Sequence, residues 1–319
     1  MSHALTQRAE LLEGVYAVVV NWNGGEQNLT CVANLLAEGL RPEQILFVDN
    51  ASTDGSPERV RAVFEGLTWI VESTNTGFGE GANRGIQRAL DEGARAVVLV
   101  NNDVVFEDHV LVELIRELDR DPQLGIVGPR VLLAREPGTI WSAGGTLNHR
   151  QNLSTLIGHH APDGPRFRER REVDYLAGCA MAVRREVFET IGLLDASYFA
   201  YHEDLDFCIS AKRAGFGVVC LGEFAALHDA HHSTGGGYNP RRKYMMGVNT
   251  VWFLRKHGGP IAWARFAVFD VLSLAPLLLV ESFRGRASGV LAKALGTWHG
   301  LRGRRVEASI LEPGATRLW

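Results

Sequence analysis

Ala96-Val97-Val98-Leu99-Val100-Asn101-Asn102-Asp103 is a run of five apolar residues that ends on two amides and a carboxylate. An unbroken apolar run of this length reads as a strand buried on both faces, the mark of a parallel sheet covered by helices. Its polar end matters equally, because open α/β sheets bind ligands beyond the carboxyl ends of their strands. Working outward, Val15 to Val20 is a second such strand, closed by Asn21-Trp22-Asn23-Gly24-Gly25, and Ile45 to Val48 is a third, with Asp49 at its end. Thr68 to Val71 makes a fourth. Between them, residues 26–38 carry helical apolar spacing (Leu29, Val32, Leu35, Leu36), Ser56-Pro57-Glu58 reads as a helix start with Ser56 as cap, and residues 81–90 form a further helix. Strands alternating with helices imply an α/β fold with a doubly wound, mostly parallel, Rossmann-like sheet.

Beyond Pro129 the pattern changes. Short strands and loops around Gly144-Gly145 and residues 162–165 lead into the apolar stretch 175–183. Helices are expected over 185–191 and 205–214, and a strand over 217–221. Gly235-Gly236-Gly237 reads as a hinge or mobile loop. The expected organisation is a domain over 1–240, with halves at about 15–130 and 131–240, followed by a C-terminal extension over 241–319.

The 319 residues are 46% apolar, enough for a substantial core, and contain no repeat or low-complexity tract. Four scattered cysteines without a CxxC pair (Cys31, Cys179, Cys208, Cys220) fit a reducing compartment rather than a disulfide framework or zinc site. The first fourteen residues lack a signal-peptide pattern, so a cytoplasmic location is expected. The net charge of −4 conceals an asymmetry: residues 1–240 carry −13 and residues 241–319 carry +9. A basic, apolar tail on an acidic body points to an anionic membrane surface as partner and gives no reason to expect nucleic acid. Residues 261–280 are long enough to span a bilayer. Arg265 and Asp270 lie inside that stretch, and a central Asp costs roughly 2.5–3.5 kcal/mol on insertion scales. Asp270, Ser273, Glu281 and Arg284 fall near one helical face, which favours an interfacial or re-entrant helix over a true span; an ordinary helix packed on the body is the plain alternative.

Five polar segments are candidate functional sites. Asp49, at its strand end, can accept hydrogen bonds from a base or ribose, while Ser52, Asp54 and Gly55 build the turn that follows. The Gly-rich segment 75–85 opens a helix; Gly77 and its neighbours allow close backbone approach, and Asn75 and Asn83 can hold a base or phosphates, although an ordinary tight loop would carry the same residues. Asp103 is the sharpest metal candidate, with Asn101 and Asn102 as neutral neighbours, because Mg²⁺ or Mn²⁺ binds through one or two carboxylates plus phosphate oxygens. In Glu203-Asp204-Leu205-Asp206 crowded carboxylates raise one another's pKa, which suits a general base; Asp204 is the choice, with Glu203 beside it and Asp206 anchoring the helix start. His228 can offer an imidazole to the same cation, whereas His231 and His232 read as surface residues.

Together these segments resemble the family 2 glycosyltransferases of GT-A fold, particularly their rhamnosyltransferase-like branch, over about 16–305. Residues 175–185 resemble that branch's acceptor-side segment, 192–206 its acidic signature, and His228 with Ser233 its closing His-x4-Ser pattern. The resemblance implies nucleotide contacts at Asn21, Asp49, Asn75 and Asn83, to which Asp54, Gly77 and Asn102 join as candidates. It further implies a divalent cation at Asp103 with His228, a base at Asp204, and a membrane-associated tail over 241–305. Much of the superfamily carries Asp-x-Asp where this chain has Asn101-x-Asp103, one charged ligand in place of two. The expected activity is inverting transfer from a nucleotide sugar, dTDP-rhamnose or a UDP-sugar, to a glycan or lipid-linked acceptor, by a protein peripheral on the inner face of the cell membrane. A sugar-phosphate nucleotidyltransferase is the rival enzyme class, disfavoured because the loop after the first strand (21–25) has no Lys or Arg. A degenerate glycan-binding protein is the non-enzymatic rival.

Overall fold

The computed structural model describes residues 8–150, 152–229 and 239–319. The elements run β1 (Val15–Asn21), α1 (Gln27–Glu38), β2 (Ile45–Asp49), α2 (Ser56–Val63), β3 (Thr68–Val71), α3 (Phe78–Asp91), β4 (Ala96–Asn101), β5 (Val104–Phe106), α4 (Val110–Arg120) and β6 (Leu124–Leu133). They continue through β7 (Ile140–Ser142), β8 (Gly145–Leu147), β9 (Ser154–Leu156), β10 (Arg170–Glu172), β11 (Ala180–Arg184), α5 (Arg185–Ile191), α6 (Glu203–Arg213) and β12 (Gly217–His228).

Strands β3, β2, β1 and β4 are parallel neighbours, as the alternation with helices requires. Antiparallel β11 joins them to β6 and β12, which are parallel to each other. Successive side chains of β4 leave opposite faces of the sheet. Val97 and Leu99 pack with Ala82, Ile86 and Ala89 of α3, while Val98 and Val100 pack with Val32 and Leu35 of α1 and Leu111, Leu114 and Ile115 of α4. This two-sided burial is why the strand is apolar without interruption. In register, Asn21 lies opposite Asp49, and Val20 opposite Asn101, so the polar strand ends share one edge.

Three boundaries differ from expectation. Helix α2 is capped by Gly55 at φ +74°, not by Ser56, whose hydroxyl instead donates to Asp54 at 2.6 Å. Helix α3 starts at Phe78, three residues before position 81. Strand β12 continues past Leu221 to His228 through a bulge, because it gains β5 as a partner, with His228 opposite Val104. The segment 104–133, given no assignment from sequence, supplies β5, α4 and the fully buried β6. Gly235 to Gly237, His231, His232 and Ser233 lie outside the described residues.

The C-terminal extension contains α7 (Pro240–His257), α8 (Pro260–Phe266), a π-helical segment (Ala267–Leu272), α9 (Leu274–Phe283) and α10 (Ala287–Leu301). Helices α7 and α10 cross closely: a side chain at Gly296 would sit 2.1 Å from the Tyr244 carbonyl, and one at Gly247 would sit 2.5 Å from that of Lys293. Residues 260–283 form one helix long and apolar enough to cross a membrane, and only 17% of its most apolar stretch is buried. Its polarity is inverted relative to a soluble protein. Asp270, fully buried, faces inward onto Lys293 and the Asn152 N–H, and buried Glu281 pairs with Arg284, whereas Ile261, Val268, Leu272, Leu279 and Phe283 face outward.

Candidate active site

The loops at the carboxyl edge are stitched together by amides. Asn21 is fully buried; its Nδ2 donates to Asp49, Ser52 and Ser56, and its Oδ1 accepts from Gly24, Asn28 and Asn102. Every polar group of this side chain is engaged within the protein, and it holds the β1, β2 and β4 loops in register. Asn102 joins the same network, its Nδ2 donating to both Asn21 and Asn28. Asn83 is bound in a reciprocal pair with the Leu194 backbone, at 2.8 and 3.0 Å, and so ties α3 to the acceptor half rather than reaching a ligand. Asp54 builds its turn, accepting from Ser56 and from the Gly25 N–H; these bonds outweigh the upward pull of burial and hold its carboxyl below the usual range. Two groups keep capacity to spare. Asp49 accepts from Asn21 and the Ser52 N–H through Oδ1 alone, and Asn75 uses only its Oδ1, toward Asn50 and the Gly77 N–H.

The Gly-rich segment is joined to the acidic one. Gly77, at φ +87°, approaches Phe199 so closely that a side chain would lie 2.5 Å from the Phe199 carbonyl, and the Phe78 N–H donates to that carbonyl at 2.7 Å. Phe199 itself sits at φ +64°, ψ −63°, the centre of a three-residue γ-turn closed by the Ala200 N–H on the Tyr198 carbonyl at 2.8 Å. Tyr201 and His202 follow with φ of +69° and +76°. Three non-glycine residues with positive φ immediately before Glu203 store strain, on the order of 1–3 kcal/mol each. Asn249 of α7 offsets it: its amide donates to the carbonyls of Tyr198, Ala200 and Tyr201 at 2.8–3.0 Å. Asp206 adds a second tie to the extension through Lys256 and His257, at 2.6 and 2.7 Å. Neither partner set was foreseen from sequence, because α7 lies some fifty residues downstream and its contacts follow from tertiary packing.

Asp204, at the start of α6, accepts from the Gly178 N–H at 3.1 Å and the Leu205 N–H at 2.7 Å. Burial raises its carboxyl pKa, and those two bonds only partly oppose the rise. Glu203 is 6% exposed, and its Oε2 has no hydrogen-bond partner; burial and then the Asp204 charge push it well above the usual range. Asp206 behaves oppositely: burial pulls it upward, but His257 and Lys256 outweigh that and hold it down.

Asp103 follows β4, and its Oδ1 lies 3.2 Å from His228 Nε2, with both side chains buried. The pairing of β5 with β12 brings them together. That Oδ1 and His228 Nδ1 have no hydrogen bond. A buried carboxylate oxygen that faces an imidazole nitrogen at 3.2 Å and has no hydrogen-bond partner suits a divalent cation, with two protein ligands and the remaining positions left to ligand oxygens. No group of three or more metal-binding side chains occurs among the described residues.

The two acidic sites meet across Cys179. The Asn101 N–H donates to the Cys179 carbonyl at 2.9 Å, and the adjoining Gly178 N–H binds Asp204. The buried Cys179 thiol is pushed up by burial and then by the charges of Asp103 and Asp204. A separate open hollow, lined by Glu10, Glu13, Arg95, Arg116 and Asp119, lies by the start of β4, at the opposite end of the strands, and its Arg95 is already paired with Asp119.

Comparison with known proteins agrees with this geometry. The family model described as "Glycosyltransferase like family 2" matches residues 13–240. The N-acetylglucosaminyl-diphospho-decaprenol L-rhamnosyltransferase of Mycobacterium tuberculosis is 28% identical over 238 residues, covering 68% of this chain and 76% of the relative. The dTDP-rhamnosyl transferase RfbF of Shigella flexneri is 24% identical over 298 residues, 91% of this chain and 96% of the relative. Among solved structures, the mannosyltransferase PcManGT of Pyrobaculum calidifontis, in complex with GDP-Man and Mn²⁺, aligns with a TM-score of 0.56 at 15% identity over 94% of each chain. GalNAc-T7 with UDP, GalNAc and Mn²⁺ aligns with a TM-score of 0.54 at 14% identity, over 81% of this chain and 58% of that one. With a family match across most of its length, a GT-A-type fold and relatives named as rhamnosyltransferases, the chain belongs to glycosyltransferase family 2.

Proposed function

We propose that this glycosyltransferase is an inverting enzyme that moves a sugar, with rhamnose as first choice, from a nucleotide sugar such as dTDP-rhamnose or a UDP-sugar to a hydroxyl of a glycan or lipid-linked acceptor. The observation that carries the reading is the meeting of the two acidic segments at residues 178–179, where the Gly178 N–H donates to Asp204 at 3.1 Å and the Asn101 N–H, at the strand end that leads to Asp103, donates to the Cys179 carbonyl at 2.9 Å. On this reading residues 1–240 carry the transfer, and residues 241–319 hold the enzyme against the inner face of the cell membrane.

The donor nucleotide lies over the β2 edge, where Asp49 and Asn75 retain free capacity for a base or ribose, and Gly77 lets backbone approach it. Asp103 and His228 hold a divalent cation, Mg²⁺ or Mn²⁺, which when bound neutralises the charge gathering on the departing diphosphate. Asp204 accepts the proton of the acceptor hydroxyl while that oxygen bonds to the anomeric carbon and the opposite bond, to the nucleoside diphosphate, breaks. Glu203, buried beside it, is pushed well above the usual carboxyl range by burial and then by the Asp204 charge. Names of the relatives support the sugar and the acceptor class: one is a dTDP-rhamnosyl transferase, another acts on a diphospho-decaprenol.

A thermal-shift panel of nucleotide sugars with and without Mn²⁺ tests the donor class, since a ligand bound only by the native state raises the melting temperature. A Mn²⁺-dependent rise with dTDP-rhamnose or UDP-sugars is expected. No rise with any nucleotide sugar would contradict the reading.

A further inference from the structure

Hairpin β8–β9 meets the apolar helix of the extension at a cleft lined by Leu147, Asn148, Arg150, Arg265 and Phe269. Arg265 donates to the Asn148 carbonyl at 3.3 Å, and the Arg150 guanidinium stands 5.9 Å from the centre of the Phe269 ring. Both arginines are exposed, and neither forms an ion pair with a carboxylate among the described residues. The nearest acid on the helix, Asp270, is turned inward and taken by Lys293. His149, next to Arg150 in sequence, is pushed down by burial and then by Arg265 and Arg213. The cleft is therefore cationic and uncompensated, and it opens beside Ile261, Val268 and Leu272, which face outward.

The same hairpin leads to the catalytic carboxylate. Its first residue, Gly145, bridges to Tyr175, and the Ser154 hydroxyl donates to the Tyr175 hydroxyl at 3.0 Å. Three residues after Tyr175, the Gly178 N–H donates to Asp204 at 3.1 Å, so one short segment joins the base of the hairpin to Asp204. From Gly145 to Asn148 the strand advances roughly 10 Å at about 3.3 Å per residue. One end of the hairpin thus stands by the general base, and the other by two guanidiniums that have no ion-paired carboxylate among the described residues, beside an apolar surface.

We propose that Arg150 and Arg265 form a diphosphate subsite for a lipid-linked acceptor, holding the phosphates at the membrane edge while the attached sugar reaches Asp204 and the lipid lies along the outward face of residues 260–283. This rests on the transfer reading above and names its acceptor-side anchor. Guanidinium groups suit the task because their planar donors match phosphate oxygens two at a time. A free nucleotide sugar has no apolar tail to account for the adjoining surface. A bulk anionic phospholipid shares the phosphate chemistry, but the hairpin's connection to Asp204 favours the acceptor.

The test uses the full-length protein in neutral dodecyl maltoside micelles with a chelator, so that no divalent cation recruits diphosphate to Asp103. Farnesyl diphosphate is titrated against farnesol by calorimetry. The wild type is expected to bind farnesyl diphosphate at least tenfold more tightly than farnesol. The double variant R150A/R265A is expected to lose at least tenfold for the diphosphate while leaving farnesol unchanged, and R150K/R265K to recover part of the loss. Equal affinity of the wild type for both probes, or retention of diphosphate affinity in the alanine variant, overturns the proposal. Sedimentation with mixed phosphatidylcholine–phosphatidylglycerol vesicles supplies the second arm. Unchanged vesicle binding by the alanine variant supports an acceptor subsite, and a parallel tenfold loss there overturns it in favour of bulk lipid. Turnover of a nucleotide sugar by the wild type is measured separately, so failure of the transfer reading and failure of the subsite give different results.

Discussion

Asp204 must be ionised to accept a proton, and its surroundings oppose ionisation. Burial raises its pKa above the usual carboxylate value, while the Gly178 and Leu205 N–H groups favour the charged form and limit the rise. The rate of transfer should therefore fall as pH drops through this raised pKa, giving an acid limb in kcat/KM above the ordinary Asp value of about 3.9. A pH–rate profile checks this; a rate flat to pH 4 would contradict it. The linkage to stability has a definite sign. Groups raised in the folded state stabilise it when protonated, and that contribution is lost as pH rises through their raised values. Asp206, held down by His257 and Lys256, contributes above the ordinary carboxyl range and loses its contribution as pH falls.

At the scale of elements, the strained turn before α6 is held by α7, and here the extension becomes part of the active-site architecture. Asn249 donates one amide group to three carbonyls of residues 198–201. Asn249→Ala should cost about 1–3 kcal/mol, since it leaves buried carbonyls unpaired. It should also lower kcat more than donor affinity, because the turn aims Asp204 and not the nucleotide loops. Denaturant titration with steady-state kinetics checks both; an unchanged kcat would remove the positioning role. The central strands were legible in the sequence because burial on both faces leaves apolar runs with no alternation, as in 96–100. The amphipathic helix α1 was legible through Val32 and Leu35. The extension of β12 to His228 was not, because it depends on β5, a three-residue strand that has meaning only when paired. The internal hydrogen bonds of Asn21 and Asn83 were not legible for a related reason. A polar residue at a strand end looks the same in sequence whether it faces a ligand or neighbouring loops, and only the donor and acceptor accounting separates the two.

Across the whole molecule, an acidic body carries a basic extension whose longest apolar helix faces outward, with its two carboxylates, Asp270 and Glu281, turned in. Fully solvated apolar residues such as Phe283 (86% exposed) and Leu272 (69%) are costly in water and favourable in a bilayer interface. Replacing both by Asp should abolish sedimentation with phosphatidylglycerol-containing vesicles while sparing Mn²⁺-dependent donor binding, and retained sedimentation would argue against this face. The central claim concerns the two carboxylates whose segments meet at residues 178–179, and it assigns them different work. The measurement that separates them is donor affinity, by calorimetry with Mn²⁺, set beside transfer rate for Asp103→Asn and Asp204→Asn. Asp103→Asn should weaken Mn²⁺-dependent donor binding by about tenfold or more, as loss of a metal ligand does. Asp204→Asn should leave donor binding near wild type and lower transfer by at least about 10²-fold, the lower range for a general base. If Asp204→Asn transfers sugar at the wild-type rate, or loses donor affinity in step with activity, the assignment is wrong.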